Sequence, residues 1–214
     1  MHTPERPTAT VEEVYALAAA VQPRYRALVL MAGLLGLRWG ELIGLHRRDI
    51  DLDHQAVRVR RAVAELSNGQ REIKAPKSAA GKRTVTIPGV IVSEIRAHLK
   101  VYSEPGPDGR IFIGAKGATP RRNHFNRLWH KACREVGIKG LHFHDLRHTG
   151  NTLAASTGAS TRELMARMGH RTARAALIYQ HASADRDRLI TDALSALVEK
   201  GTRKGKGHAG GTGT

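Results

Sequence analysis

The residues of this chain whose types and order could do chemistry lie between Leu141 and His181. His144-Asp145-Leu146-Arg147 comes first, then Gly169-His170, then Tyr179, nine residues after His170. His144 and Arg147 are three apart, so on a helix they leave one face and aim an imidazole and a guanidinium at a common target. A guanidinium is always charged, and its planar fork matches phosphate oxygens in pairs. A tyrosine hydroxyl can attack phosphorus. With an ordinary pKa of ~10, only about a thousandth of free tyrosine is ionised at pH 7, so it needs a proton acceptor or a cationic setting. Each piece alone has a bland reading. His-x-x-Arg also occurs on the solvated surface of any basic protein, and a tyrosine before a histidine is commonly a packing residue with a wet hydroxyl. His144 and His148, four apart, suggest metal ligation, but His-Glu-x-x-His is absent and one cysteine cannot build a Cys-based zinc site. The ordered set describes a phosphate site with a phenol placed to attack it.

Helices must position these groups. Ser160-Thr161-Arg162-Glu163 has the form of a capping box, and Gly169 suits a C-terminal stop. His170 then sits on a turn just past a helix end. Tyr179, after the small residues Ala173 to Ala176, falls on a short, mobile helix. Far upstream, Thr10 with Glu12 and Glu13 predicts a helix start. Val14, Leu17, Ala18 and Val21 keep helical spacing until Pro23 breaks it. A second helix, Arg24 to Leu37, carries Leu28, Leu30, Met31, Leu34 and Leu35 and must be largely buried. It runs into Gly36-Leu37-Arg38-Trp39-Gly40-Glu41-Leu42, so Arg38 ends the most apolar stretch in the chain. A charge there is costly unless it is paired or has a task; the plain alternative is a surface arginine past a helix terminus, where a cation is mildly favourable.

Val57 and Val59, then Val85 and Ile87, alternate with period two, and Asn68-Gly69 is a hairpin turn. Segments 55–66, 71–74 and 82–88 therefore predict a small three-stranded antiparallel sheet. Lys77 lies in the loop Pro76 to Gly81, where a solvated lysine is the ordinary expectation. A helix follows from Pro88 to about Lys100, then the loop Glu104 to Gly109. Thr119-Pro120 reads as a cap with proline at the first helical position, opening a helix over 120–136 with Phe125, Leu128, Trp129 and Ala132 as its buried stripe. Arg121, Arg122 and Asn123 crowd its N-terminal end. They suit phosphate or base-edge contacts, or form a solvated basic face. Residues 184–200 read as an amphipathic helix with Leu189, Ile190, Ala193, Leu194 and Leu197 on one face. Residues 1–9 read as a linker, and the Gly-rich, basic 201–214 as a disordered tail. The fold class is mainly α with a small antiparallel sheet.

Lysine and arginine number 35 against 19 acids, a net charge of +16 with a pI near 10.9. That points to a polyanionic partner, nucleic acid first, although a ribosome or an anionic membrane surface would satisfy charge alone. Cys133 is the only cysteine, so no intrachain disulfide framework exists, and a reducing, cytoplasmic compartment is expected. The longest apolar run, Ala27 to Leu37, is about half the ~20 residues a bilayer span needs. It reads as a core helix, with no membrane partner.

Taken together, these residues resemble the catalytic domain of the tyrosine recombinase (phage integrase) family over roughly residues 10–200. Gly-Leu-Arg-x-Gly-Glu-Leu, reading on to Asp49-Ile50-Asp51, is similar to the family's first-arginine motif, His144-x-x-Arg147 to its second, and Gly169-His170 with Tyr179-x-His181 to its last. The resemblance implies the integrase catalytic core fold, with Ile111-Phe112-Ile113 as a short segment before the next helix. It gives Arg38, Arg147 and His170 an electrostatic role at a phosphodiester, Tyr179 that of nucleophile and His144 that of base or relay. Glu41 matches an acidic position that orients an active-site cation. The family carries its catalytic lysine in the hairpin ahead of Arg-x-Val-x-Ile-Pro, here Arg83 to Pro88. Lys77 fits best, with Lys74 and Lys82 as competitors.

The activity implied is cleavage and rejoining of double-stranded DNA at specific sites through a 3′-phosphotyrosine, with no metal, cofactor or ATP, by a homo-oligomer, a tetramer, on DNA associated with the nucleoid. Type IB topoisomerase-like relaxation and a non-catalytic DNA-binding module are the alternatives. Integrases usually carry a helical core-binding domain upstream, so the chain is expected to be a fragment of a longer integrase. In relatives, a C-terminal segment like 184–200 packs on a neighbouring protomer; it could equally pack on its own chain.

Overall fold

The computed structural model describes residues 7–66, 68–74, 82–169, 172 and 191. Lys77, His170, Tyr179, the expected helix at 184–200 apart from Thr191, and the tail at 201–214 lie outside them. The chain divides into two units, Met1–Tyr179 and Gln180–Thr214, and all described residues but Thr191 belong to the first.

Helix α1, Val11–Ala20, starts where its capping residues require. The Thr10 hydroxyl accepts the Glu13 N–H, and the Glu13 carboxylate accepts the Thr10 N–H in return. Val14, Leu17 and Ala18 are its buried stripe. Helix α2, Pro23–Leu35, opens on proline and is buried almost all round, as its nearly unbroken apolar sequence demands. It stops two residues earlier than its apolar run suggests. Gly36 takes φ 68°, a left-handed cap whose N–H donates to the Ala32 carbonyl. Helix α3, Trp39–Ile43, follows at once.

A three-stranded antiparallel sheet is present, but its strands differ from the expected set. Its order is β1 (Ile50–Asp51), β2 (Ala56–Val59), β5 (Arg83–Thr86). Val57 faces Val85 across it, and both are buried with Val59 and Ile87, as the period-two pattern predicts. The expected long strand at 55–66 breaks after Val59, because Arg61 turns inward. Its Nη1 donates to Asp49 Oδ2 at 2.8 Å and to the Gly44 carbonyl at 3.3 Å. The remainder, β3 (Ala62–Glu65), pairs only with β4 (Arg71–Lys74), forming a separate hairpin at the Asn68-Gly69 turn. Gly69 has φ 78° there.

Helix α4, Val92–Val101, follows a 3-10 turn at Gly89–Ile91. Helix α5, Arg122–Val136, begins later than expected: Arg121 is its N-cap. Thr119 does not cap it, because its hydroxyl accepts from Arg110 Nη1 at 2.9 Å. Helices α6 (Asp145–Ser156) and α7 (Thr161–Met168) complete the described unit. The capping box of α7 forms as read, Ser160 with Glu163, and Gly169 closes it at φ 63°.

The core knits these helices together through rings. Phe143 meets Trp39, Phe125 and Trp129 edge-on at 5.6, 4.9 and 5.4 Å, and Tyr25 meets Phe125 at 5.2 Å. Such pairs each add about 0.5–1.5 kcal/mol beyond their burial. Trp39 neighbours Arg38 and Phe143 neighbours His144 in sequence, so this cluster also anchors the two backbones that carry those groups.

Candidate active site

Arg38 stands at the α2–α3 corner with its side chain 43% exposed, so the charge at the end of the apolar helix reaches solvent. Glu41, one turn on and buried, holds it. Glu41 Oε2 accepts the Arg38 backbone N–H at 2.8 Å, and Oε1 accepts Arg38 Nη1 at 3.0 Å. The expectation that Glu41 orients a cation therefore has a geometry. A second arginine completes the arrangement: Arg83, on β5, donates Nη1 to Oε1 at 2.9 Å and Nη2 to Oε2 at 3.0 Å. Burial pushes the Glu41 carboxyl up, but the Arg83 hydrogen bonds and charge, with those of Arg38, outweigh it and hold the carboxyl below its ordinary range. Breaking so buried a pair from one side costs about 3–5 kcal/mol.

Arg147 is buried on α6 and reaches across two elements. Its Nη1 donates to the Gly36 carbonyl at 2.5 Å and its Nη2 to the Met168 carbonyl at 2.6 Å. Gly36 is two residues before Arg38, so this bond brings together two arginines that are far apart in sequence. The approach depends on small residues. A Cβ on Gly150 of α6 would lie 2.9 Å from both the Gly33 carbonyl oxygen and the Gly36 nitrogen. His144 stands at the N-cap position of α6, and its ring packs edge-on to His148 at 5.9 Å. The buried Asp145 accepts the His142 N–H at 2.8 Å, which fixes the turn that presents His144.

A pocket of about 400 Å³ opens beside this corner, lined by Trp39, Arg122, Asn126, His130, His142 and His144, among others. Arg122, Asn126 and His130 are one helical turn apart on α5, so they share a face. Of the three N-terminal residues singled out, Arg122 lines the pocket; Arg121 and Asn123 are exposed at the same helix end but do not line it. Among the competing lysines, Lys74 ends β4 with its Nζ 2.9 Å from Glu72 Oε2, and Lys82 is exposed just before β5. The structure thus brings Arg38, Glu41, Arg147 and His144 to one corner. Arg83 is what sequence reasoning missed. Its only signal was its place at the head of the Arg-x-Val-x-Ile-Pro run.

A second partly buried arginine, Arg167, stitches α7 to its surroundings. Its Nη2 donates to the Leu34 carbonyl at 3.2 Å, and its own carbonyl accepts Arg83 Nε at 2.8 Å. Burial pushes its pKa down, with the Arg83 charge adding to that. The last turn of α7, just before Gly169, is therefore tied to both α2 and β5. Among the described residues, no group of three His, Cys, Asp or Glu side chains is placed to hold a metal ion. Among the same residues, no helix is long and apolar enough to cross a membrane.

Residues 8–186 match the sequence model of the phage integrase family. A prophage phiRv2 integrase of Mycobacterium tuberculosis is 44% identical over 195 residues, covering 89% of this chain and 51% of that protein. The integrase of Mycobacterium phage L5 is 37% identical over 194 residues, covering 89% and 52%. The chain thus spans about half the length of the curated relatives it matches. In three dimensions it is similar to the Tn1549 transposon integrase in complex with circular intermediate DNA, with a TM-score of 0.75, 20% identity and coverage of 90% and 67%. It is also similar to the XerA recombinase, with a TM-score of 0.69, 21% identity and coverage of 90% and 65%. The expected core fold, mainly α with a small antiparallel sheet, is the fold these structures share.

Proposed function

From the premise that this chain belongs to the phage integrase family, we propose that it cleaves and rejoins double-stranded DNA at specific sites through Tyr179, without metal, cofactor or ATP. The observation that carries this reading is the Arg38–Arg147 corner, tied by the bond from Arg147 to the Gly36 carbonyl, with His144 and Trp39, the residue after Arg38, lining one pocket. A phosphodiester resists attack by an anion, and charge builds on its oxygens as phosphorus becomes five-coordinate. Arg38 and Arg147, joined by His170, stabilise that charge. The Tyr179 oxygen bonds to phosphorus while the bond to the 5′ oxygen breaks. His144 takes the phenol proton, and Lys77 gives one to the leaving oxygen. The product is a 3′-phosphotyrosine and a 5′-hydroxyl, and attack by another strand's 5′-hydroxyl reverses the step.

The +16 net charge supports DNA as partner. Exposed Arg121, Arg122 and Asn123 suit contacts to it from the end of α5. Recombination joins strands from two duplexes, so the working form is a homo-oligomer, a tetramer, on nucleoid DNA in the cytoplasm.

The test is a suicide substrate. Nicked duplexes bearing candidate attachment sequences are incubated in EDTA with the wild type and Tyr179→Phe, then run on denaturing gels. A covalent protein–DNA adduct with the wild type alone is expected. Adducts from both proteins would refute Tyr179 as nucleophile. Binding by both without an adduct on any of the candidate sequences would reduce the protein to a DNA-binding module.

A further inference from the structure

We propose that Arg83 is a positioning residue for Arg38: by occupying both oxygens of Glu41, it leaves the Arg38 guanidinium available to the scissile phosphate. The inference rests on the recombinase reading above. Glu41 accepts four donors, two from the Arg83 fork and two from Arg38, one of them backbone. A carboxylate offers about four lone-pair sites, so this one is full. Arg38 spends only Nη1 on it; its Nε and Nη2 make no hydrogen bond to the described residues. The two arginines divide the work by depth. The Arg83 side chain is 5% exposed and that of Arg38 43%.

Removing Arg83 would leave a buried carboxylate with two empty acceptor sites and one guanidinium in reach. An unpaired buried charge is costly. Arg38 would therefore turn inward and pair with Glu41 by both arms of its fork, withdrawing from the phosphate. Arg83 is also placed to link parts of the site. Its Nε holds the Arg167 carbonyl in the last turn of α7, and it begins β5. One guanidinium thus couples the carboxylate that aims Arg38 to the helix that precedes Gly169.

The experiment compares adduct formation on nicked duplexes with an ordinary scissile phosphodiester and with a methylphosphonate in its place, which is uncharged and makes less demand on an arginine clamp. Arg83→Met is expected to slow the reaction about 100-fold on the phosphodiester, the scale of a misplaced catalytic group, and far less on the methylphosphonate. Adding Arg83→Met to Arg38→Ala should cost far less than Arg83→Met costs the wild type. Glu41→Gln with Arg83→Met should recover much of the lost rate, since no carboxylate remains to draw Arg38 inward. Arg83→Lys, which keeps the charge but not the fork, decides the matter if Arg83→Met does not fold; it should show the same substrate pattern with a smaller loss. Equal losses on both substrates, or additivity with Arg38→Ala, would make Arg83 merely structural and overturn the inference. A reactive wild type with indifferent Arg83 variants removes the inference alone. A wild type that forms no adduct removes the recombinase reading, and this one with it.

Discussion

Gly150→Ala should separate stability from activity. A Cβ there would lie 2.9 Å from the Gly33 carbonyl oxygen, 2.9 Å from the Gly36 nitrogen and 3.0 Å from the Gly36 Cα. Carbon contacts settle at about 3.5–4.0 Å, and these neighbours are backbone, so α2 and α6 must part by roughly half an ångström. Two terms then oppose each other. Alanine in a helix gains about 1 kcal/mol over glycine, and overpacking loses about 1–3 kcal/mol. The net is a destabilisation of about 0–2 kcal/mol, a fall in Tm of at most about 8 °C for a chain of this size. Activity should suffer more. Gly36 carries the carbonyl that holds Arg147 and leads directly to Arg38, and misplacing such groups by about 1 Å can cost up to 100-fold in rate. A loss of about tenfold or more is expected in the initial rate of adduct formation on a nicked duplex, with thermal denaturation run in parallel. Gly89→Ala is the control, because its Cβ would meet nothing nearer than 3.9 Å. A folded Gly150→Ala protein that cleaves at the wild-type rate, or one stabilised by the full helix-propensity gain, would refute the reasoning.

Two further predictions concern groups outside the site. Burial pushes the Cys133 thiol up to about 11, so native protein at pH 8 should resist iodoacetamide, while unfolded protein is alkylated readily; equal labelling rates in the two states would contradict this. His98 is buried against Tyr102 and Phe112. Burial holds its pKa below the ordinary value, the bond to the Ile111 carbonyl opposes that shift, and the charge of Arg24 reinforces it. Its folded pKa being depressed, the stability it contributes is complete above about pH 6.5 and is lost as pH falls through the folded value. Thermal denaturation between pH 7.5 and 5 should thus show a smaller acid loss in His98→Gln than in the wild type, and parallel curves would exclude His98 as a cause.

Much of this protein is legible because the relevant forces act within a turn or two of chain. The helix start at Thr10, the Ser160–Glu163 capping box, the glycine stop at Gly169, the Phe125–Trp129–Ala132 stripe and the Asn68-Gly69 hairpin all follow from local rules. Thr119 failed as a cap because a distant group, Arg110, claimed its hydroxyl. The three-stranded sheet was foreseen with two of its members, β2 and β5, but not the third, which is β1 rather than β4. Arg61 reaches back to Asp49, leaves the strand and hands β4 to a separate hairpin.

The sequence alone determined the chemistry available: arginines, a histidine and a carboxylate in a recognisable order, on helices several of whose ends it also specified. Only the tertiary structure decided how they share charge. Arg83 meets Glu41 from 42 residues away, and Arg147 meets Gly36 from 111 residues away. Such partners are selected by burial, since a guanidinium or carboxylate removed from water must find whatever counter-charge or carbonyl the packing brings within reach.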